Sequence, residues 1–293
     1  IAPAPTPVAI GCCRNGLAGR EERSRLAPLE RCLKNHILLG EPGSQTADLE
    51  IIDPIKVGDC HNSQVFVAEV QERDAVENKK RTVVVKVYDP LYFDDDEGYL
   101  NPFLCMDRHY THEVHAYTSF SHLQGSLIPE FYGSFSLEIP VSESTVRIVR
   151  LIVMEYIPGI FMQQAIPEDF ALPCRQQIIK SVIEFESRQA YQHNIILYEL
   201  TPRNVMLLDP ARYPQRKIVF LDFDGAHFGR RFGTTKPTLS WSQYISPLLR
   251  WDLDMAYDFR NWIDWDFEAW IKSEYASDAH SITQEMRDHY TIN

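Results

Sequence analysis

Two short stretches in the second half of the chain constrain its fold most strongly, because each joins an apolar run to oxygen-bearing side chains. Residues 198–206 read Tyr-Glu-Leu-Thr-Pro-Arg-Asn-Val-Met, so that Glu199 and Asn204 share one loop. Residues 221–225 read Leu-Asp-Phe-Asp-Gly and place Asp222 at the end of an apolar strand. Asparagine and aspartate offer the hard oxygen ligands that Mg²⁺ prefers. Asn204 and Asp222 are therefore candidate metal ligands, the alternative for Asp222 being an aspartate that only forms a turn.

The composition excludes some classes of partner. The chain has 293 residues and a hydrophobic fraction of 44%, which is enough for the core of one large domain or two small ones. Its 29 basic and 41 acidic residues give a net charge of −12, which argues against non-specific binding to nucleic acid or anionic membranes. A phosphate ligand stays compatible with this charge, because a few local cations and a metal ion are sufficient to bind it.

The start of the chain and its cysteines indicate a reduced, cytoplasmic protein. No apolar run reaches the roughly 18 residues of a membrane helix. Residues 1–10 are rich in proline and alanine and lack the basic and apolar regions of a signal peptide. The six cysteines lack CxxC spacing, so we predict free thiols, with a zinc site as the alternative.

Hydrophobic periodicity divides the chain into three parts. Residues 1–48 read as a poorly ordered leader followed by one helix over residues 21–40. Residues 49–157 show five strands rich in β-branched residues and one helix, whereas residues 158–293 are mainly helical. The predicted strands of the middle part cover residues 49–57, 65–70, 82–88, 131–137 and 145–156, and its helix covers residues 105–123. The last part has a long helix over residues 175–193 and short strands at residues 205–208 and 218–221.

Lys86 lies in a strand of valines, where a charge is unexpected. Alternation places Val85 and Val87 on one face of this strand and Lys86 on the other. One interpretation is a lysine of an edge strand that points to solvent. The other is a buried charge that reaches a phosphate and is held by a carboxylate of the following helix, for which Glu113 is the best candidate.

Two further segments complete the pattern. The turn between the first two strands begins with Gly58 and carries Ser63. The apolar strand at residues 151–157 ends in a Pro-Gly turn, with Glu155 and Ile157 among its last residues. This strand is either simply part of a core or the connector between two lobes.

The chain resembles the protein-kinase-like superfamily in the order of four segments: the lysine strand, the connector, the loop at residues 199–204 and the strand that ends in Asp222. The resemblance is to its fungal protein-kinase-like and aminoglycoside-phosphotransferase-like branches, and it covers residues 49–270. The segment at residues 246–251 also looks like the fungal branch. The resemblance implies an α+β fold with two lobes: an antiparallel-sheet N-lobe with one helix, and a short, mainly helical C-lobe.

The resemblance also implies a role for each candidate residue. Lys86 would bind the phosphates of ATP, and Glu113 would orient this lysine. Asn204 and Asp222 would hold Mg²⁺, and Glu199 would stand where the catalytic aspartate belongs. The other nucleotide contacts would come from the phosphate loop and from the backbone of the connector: Gly58, Ser63, Glu155 and Ile157.

Departures from the kinase pattern bear on activity. Cys60 and Ser63 stand at glycine positions of the phosphate loop, and Asp224 replaces the glycine of Asp-Phe-Gly. Glu199 is one methylene longer than aspartate, which moves the carboxylate by about 1 Å and can cost about 10²-fold in rate. The resemblance therefore implies a kinase-like phosphotransferase, and two alternatives stay open. One is a pseudokinase that serves as a nucleotide-binding or interaction module, and the other is a kinase fold repurposed for another reaction.

The second half favours a small-molecule acceptor over a protein. Residues 225–240 are short for an activation loop, and no Ala-Pro-Glu follows them. The chain is rich in tryptophan from Trp241 onward, and its acidic run at residues 264–268 is a candidate wall of a pocket for a cationic acceptor. The alternative is that these residues belong to the core and to a helix surface. The oligomeric state is left open.

Overall fold

The computed structural model describes residues 13–35, 37–38, 43, 46–58, 61–72, 80–93, 99–229 and 244–290. Over these residues the chain is a mixed α+β protein that divides into two compact units. The first unit comprises residues 1–158 together with 223–225, and the second comprises residues 159–222 and 226–293. The sequence-based boundary, between residues 157 and 158, lies next to this division.

Two short helices precede the sheet of the first unit: α1 (Leu17–Arg25) and α2 (Pro28–Lys34). The prediction of one helix over residues 21–40 is wrong, because Ala27 has extended backbone angles and Pro28 starts a new helix at its first position. The predicted leader covers residues 1–20, of which residues 1–12 lie outside the described residues, whereas α1 already begins at Leu17. The N–H of Asn15 donates to the carbonyl of Tyr99 across 2.8 Å, which ties the start of the described chain to the first unit.

An antiparallel sheet of five strands organises the first unit. Its strands are β1 (Ala47–Lys56), β2 (Gln64–Glu72), β3 (Arg81–Tyr88), β4 (Phe131–Pro140) and β5 (Val146–Glu155), and the sequence predicts all five. The order across the sheet is β1-β2-β3-β5-β4, so that β3 is the central strand. Val83, Val85 and Val87 belong to an apolar cluster on one face. Lys86 therefore points to the opposite face.

The helix α3 (Pro102–Ser119) joins β3 to β4 along the chain and packs against the sheet. The side chain of Asn101 accepts from the N–H groups of Phe103 and Leu104, and Pro102 occupies the first helical position, so the start of the helix is well capped. Glu113 is among its fully buried residues. The helix thus carries a carboxylate towards the sheet.

The second unit is mainly helical, with short strands. The predicted helix over residues 175–193 is helical throughout but irregular, since α4 (Leu172–Glu184) continues as a π-helix (Phe185–Ala190) and a 3₁₀ turn (Tyr191–His193). Its strands are β6 (Ile160–Phe161), β7 (Ile195–Leu197), β8 (Val205–Leu207), β9 (Ile218–Phe220) and β10 (Ala226–Phe228). They form a three-stranded sheet in the order β6-β8-β9 and a pair of β10 with β7. The helices α5 (Phe267–Glu274) and α6 (Gln284–Tyr290) follow, with 3₁₀ segments at Pro247–Leu249, Tyr257–Trp262 and Ala276–Ser281.

The π-helix buries a charged residue, Glu186, and this residue anchors the segment that contains Arg250 and Trp251. Arg250 Nη1 donates to Glu186 Oε2 across 2.9 Å, and Trp251 Nε1 donates to the same oxygen across 3.2 Å. The Arg250 guanidinium also lies over the Tyr191 ring. These contacts tie two distant parts of the second unit together.

Four cysteines are free thiols in the structure: Cys13, Cys32, Cys105 and Cys174. The other two, Cys12 and Cys60, lie outside the described residues, as does Trp241. Within the described parts of the chain, every helix is too short or too polar to cross a membrane.

Candidate functional site

Lys86 and Glu113 form a buried ion pair in the first unit. Lys86 Nζ donates to Glu113 Oε2 across 2.6 Å, and the two residues are 5% and 0% exposed. The central position of β3 and the packing of α3 bring them together. The interpretation of Lys86 as a solvent-facing lysine of an edge strand is therefore wrong, and the contact expected between the two residues is present.

Asp224 is a second buried carboxylate on the same lysine, which sequence reasoning missed. Its Oδ2 lies 3.2 Å from Lys86 Nζ. The neighbouring Phe223 is buried in the first unit, where its ring meets those of Tyr117 and Phe120 edge-on, with centroids 5.4 and 5.6 Å away. This packing places Asp224 beside the lysine.

Tyr88 and His109 also lie beside these charged groups. The Tyr88 hydroxyl donates to Glu113 Oε2, and burial together with the Glu113 charge raises the pKa of Tyr88 well above its ordinary value, so that it stays a donor. His109 Nδ1 lies 3.8 Å from Asp224 Oδ2. Burial raises the pKa of Asp224, but the charges of Lys86 and His109 outweigh this, and the pKa lies below its ordinary value. The sequence does carry a signal for the position of Tyr88, because alternation along β3 puts Tyr88 on the same face as Lys86.

The turn at Gly58 is closed by a side chain. Gly58 has a φ of 112°, which glycine adopts without strain. Its N–H donates to Gln64 Oε1 across 2.7 Å, and its carbonyl accepts from Gln64 Nε2 across 2.9 Å. Ser63 is buried, and Cys60 lies outside the described residues. Both backbone groups of Gly58 are thus already used in this conformation, and a phosphate would have to displace Gln64 to reach them.

The end of β5 is also hydrogen-bonded within the chain. The N–H of Glu155 donates to the carbonyl of Glu130 across 2.9 Å, and the Glu155 carboxylate accepts from the N–H of Glu130 across 3.1 Å. The side chain of Ile157 is buried. The predicted use of the Glu155 backbone by an adenine therefore competes with an existing contact at its N–H.

Asn204 and Asp222 lie at the same end of one strand pair in the second unit. Val205 pairs with Phe220 in the antiparallel β8–β9 ladder, and the N–H of Leu221 donates to the Asn204 carbonyl across 2.8 Å. Asn204 Nδ2 donates to a carbonyl, so that its amide oxygen is the atom directed to other partners. Asp222 has a φ of 61°, a left-handed conformation that costs a residue other than glycine free energy and often marks a functional position.

Glu199 is held by two residues of its own loop. Its carboxylate accepts from Arg203 Nη2, and its carbonyl accepts from Asn204 Nδ2 across 2.9 Å. Glu199 and Arg203 are partly exposed, with 40% and 60% of their side-chain surfaces open. Because the carboxylate is accessible and oriented, it is able to accept a proton from a bound hydroxyl.

A cavity of about 560 Å³ opens beside this loop within the second unit. Its volume lies in the range of roughly 300–1,000 Å³ that is usual for small-molecule sites. The lining combines charged, amide, hydroxyl and apolar side chains: Met162, Gln163, Ala165, Pro167, Tyr198, Glu199, Thr201, Pro202, Arg203, Asp258, Asn261 and Trp262. The buried Thr201 Oγ1 has no hydrogen-bond partner among the residues that the structure describes. The sequence had no local signal for this set, because three separate segments contribute to it.

The acidic run at residues 264–268 has other contacts. Asp264 Oδ2 accepts from Arg175 Nη2 across 2.8 Å, and Glu268 lies 3.8 Å from Lys272 on the surface of α5. Neither carboxylate lines the cavity described above, whose acidic members are Glu199 and Asp258. One segment of the cavity lining, with Asp258, Asn261 and Trp262, comes just before this run in sequence. The tryptophan that lines the cavity is therefore Trp262 and not one from the run itself.

The first unit holds a buried, oriented cation. The second unit holds Asn204 and Asp222, whose side-chain oxygens are of the type that Mg²⁺ prefers, and an accessible carboxylate beside a cavity. In kind, the cation fits a phosphate group and the oxygens fit a metal ion. The chain matches no protein-family model, and a search of curated proteins finds no relative.

Proposed function

We propose that the chain is an ATP- and Mg²⁺-dependent phosphotransferase of the two-lobed protein-kinase-like type that acts on a small molecule in the cytoplasm. The observation that carries the proposal is the buried pair of Lys86 and Glu113. A lysine in the central strand of a sheet is expensive to bury, and the same volume is more cheaply filled by an apolar side chain. A phosphate ligand for Lys86 accounts for the charge, whereas stability alone does not.

The second unit supplies the other groups that the reaction needs. Asn204 and Asp222 would hold the metal ion, which neutralises the phosphate charge that develops during transfer. Glu199 accepts the proton of the acceptor hydroxyl, and Arg203 and Asn204 fix the direction of its side chain and backbone. The positive φ of Asp222 supports this role, because strained residues persist where function requires them.

The charges of the cavity support a cationic acceptor. Glu199 is paired with Arg203, whereas Asp258 is exposed and forms no ion pair with any residue that the structure describes. One unpaired carboxylate beside Trp262 and Tyr198 favours an ammonium group, which aromatic faces also attract. We therefore propose Asp258, rather than Asp264 or Glu268, as the carboxylate that binds the acceptor.

Nucleotide binding is tested by thermal unfolding with ATP and Mg²⁺. A ligand that binds only the folded state stabilises it by RT ln(1 + [L]/Kd), so millimolar ATP is expected to raise Tm. Hydrolysis or transfer is then followed as ADP release in the native protein, E199D and E199A. A loss in E199A of about 10²-fold or more supports Glu199 as the base. No rise in Tm at millimolar ATP with Mg²⁺ would overturn the proposal.

The acceptor is tested with matched probes. Glucosamine, glucose and glucuronate are similar in size and differ in charge, and the cationic probe is expected to stimulate ADP release most. D258N is expected to weaken the glucosamine response about fivefold, a modest effect because the carboxylate is exposed. E268Q is the control, since Glu268 is an exposed carboxylate outside the cavity. An equal response to the three sugars would remove charge as the basis of selection.

A second candidate function is a pseudokinase that binds nucleotide or a partner without transfer. The closed turn at Gly58 and the engaged N–H of Glu155 favour it, because both groups would have to exchange hydrogen bonds to meet a nucleotide. ATP binding without any ADP release, in the native protein and in E199D alike, distinguishes this candidate from the phosphotransferase.

A further inference from the structure

Lys86 is shared between two buried carboxylates. Glu113 Oε2 lies 2.6 Å and Asp224 Oδ2 lies 3.2 Å from its ammonium nitrogen, and the three side chains are at most 9% exposed. The pair with Glu113 is the one that the resemblance to kinases leads us to expect. The contact with Asp224 is not part of the protein-kinase pattern, which has glycine at that position.

The position of Asp224 is set by packing. Phe223 is 3% exposed, and its ring lies against Tyr117 and Phe120 of the first unit. Asp224 follows Phe223 directly in the chain, so the buried Phe223 ring fixes the position of the Asp224 carboxylate beside Lys86. The contact between Asp224 and Lys86 is therefore part of the packed interior of the first unit.

A carboxylate in this position competes with a phosphate. The lysine ammonium has three N–H donors, and the oxygen of Asp224 takes a place on it that a phosphate oxygen would otherwise occupy. A phosphate that approaches Lys86 also meets the negative charge of Asp224 in a buried setting, where like charges repel strongly. A divalent cation that arrives with the nucleotide offsets this repulsion.

We propose that Asp224 makes the chain selective for metal-bound over metal-free nucleotide, by acting on the phosphates through Lys86. This inference rests on the proposed function. Asp224 is here a positioning and selecting residue that reduces the affinity of Lys86 for bare phosphate. The native protein then binds ATP well only with Mg²⁺, whereas a variant without this carboxylate tolerates the absence of metal.

The test is a set of ATP titrations by calorimetry, with Mg²⁺ and with EDTA, on the native protein, D224N and D224G. In EDTA, D224N and D224G are expected to bind ATP at least about tenfold more tightly than the native protein, since removal of one like charge shifts an equilibrium by about that factor. With Mg²⁺ the difference is expected to shrink or to reverse. E138Q is the matched control, because Glu138 is an exposed carboxylate of the same sheet and lies outside this cluster.

The outcomes separate the two proposals. If the native protein binds ATP with Mg²⁺ but neither variant gains affinity in EDTA, the inference about Asp224 is wrong and the proposed function stands. If no form binds ATP under either condition, the proposed function is wrong and the inference falls with it. If E138Q gains as much as D224N, net charge explains the effect and Asp224 has no special role. D224G keeps the test valid if the amide of D224N binds Lys86 in a new way.

Discussion

Lys86 donates to Glu113 across 2.6 Å, although 27 residues separate the two along the chain. Both side chains are buried, and Lys86 also contacts the buried Asp224, so removal of Lys86 takes a compensating charge away from two buried carboxylates, at a cost of about 3–5 kcal/mol. K86M is therefore expected to lower the free energy of unfolding by an amount in this range, measured by urea denaturation.

Lys80 provides the control for this substitution. It pairs with Glu50 and Glu69 on the same sheet, but it is exposed, and exposed pairs contribute little because water screens them. K80M is expected to unfold at nearly the urea concentration of the native protein. Equal losses in K86M and K80M would show that the Lys86 pair is not buried in solution.

Asp222 carries a prediction about backbone strain. Its φ of 61° is costly for aspartate and ordinary for glycine. D222G and D222N both lack the carboxylate, but only D222G relieves the strain, so its free energy of unfolding is expected to exceed that of D222N by about 1 kcal/mol. D222G is also expected to abolish any dependence of Tm on Mg²⁺ in the presence of ATP. Equal stabilities of D222G and D222N in urea denaturation would show that residue 222 stores no strain.

The pH dependence of stability is predicted to change at Asp107. Burial raises the pKa of Asp107 above its ordinary value of 3.8, despite the hydrogen bond from the Leu38 N–H and the charge of Arg150. The folded state therefore binds the proton more tightly than the unfolded state, and Asp107 costs stability once the pH rises above 3.8. D107N keeps an acceptor for Leu38 and removes this cost.

We expect D107N to be more stable than the native protein at pH 7 and to lose this advantage below pH 3.8. Urea denaturation at both pH values measures the difference. E138Q is the control for removal of one surface charge. A stability gain of D107N that is the same at both pH values would mean that the carboxylate does not titrate abnormally.

The sequence could predict the first unit because its signals are local. Alternation of valines in β3 gives the face of Lys86, and the helix that follows supplies Glu113, so both sides of the ion pair are readable. The same reasoning missed Asp224, because Phe223–Gly225 belong to the first unit although the strand before them belongs to the second. The packing of Phe223 against Tyr117 and Phe120 shows that these three residues belong to the first unit, and no local sequence pattern predicts this packing.

The second unit was harder to predict for a related reason. One interpretation of the acidic run places Asp264 in the wall of an acceptor pocket, with the core and a helix surface as the alternative, and the structure pairs its side chain with Arg175, 89 residues earlier in the chain. The cavity instead takes residues from three segments that include Gln163, Glu199 and Asp258. Such long-range contacts depend on how the elements fold together, and a periodicity argument cannot supply them.

Glu186 carries the last prediction, which concerns the stability of the second unit. The side chains of Glu186 and Arg250 are 7% and 9% exposed, and Trp251 donates to the same carboxylate. E186L leaves the guanidinium buried without its partner, and a loss of about 3–5 kcal/mol is expected. The double variant E186L/R250M removes both charges and is expected to recover most of this loss, because the desolvation penalty disappears with them. E184Q is the control, since Glu184 is half-buried and its carboxylate makes only a long contact of 3.9 Å with Lys180 Nζ. Urea denaturation of the native protein, E186L, R250M and E186L/R250M gives the coupling energy between the two residues, and additive losses in the two single variants would show that Glu186 and Arg250 do not interact in solution.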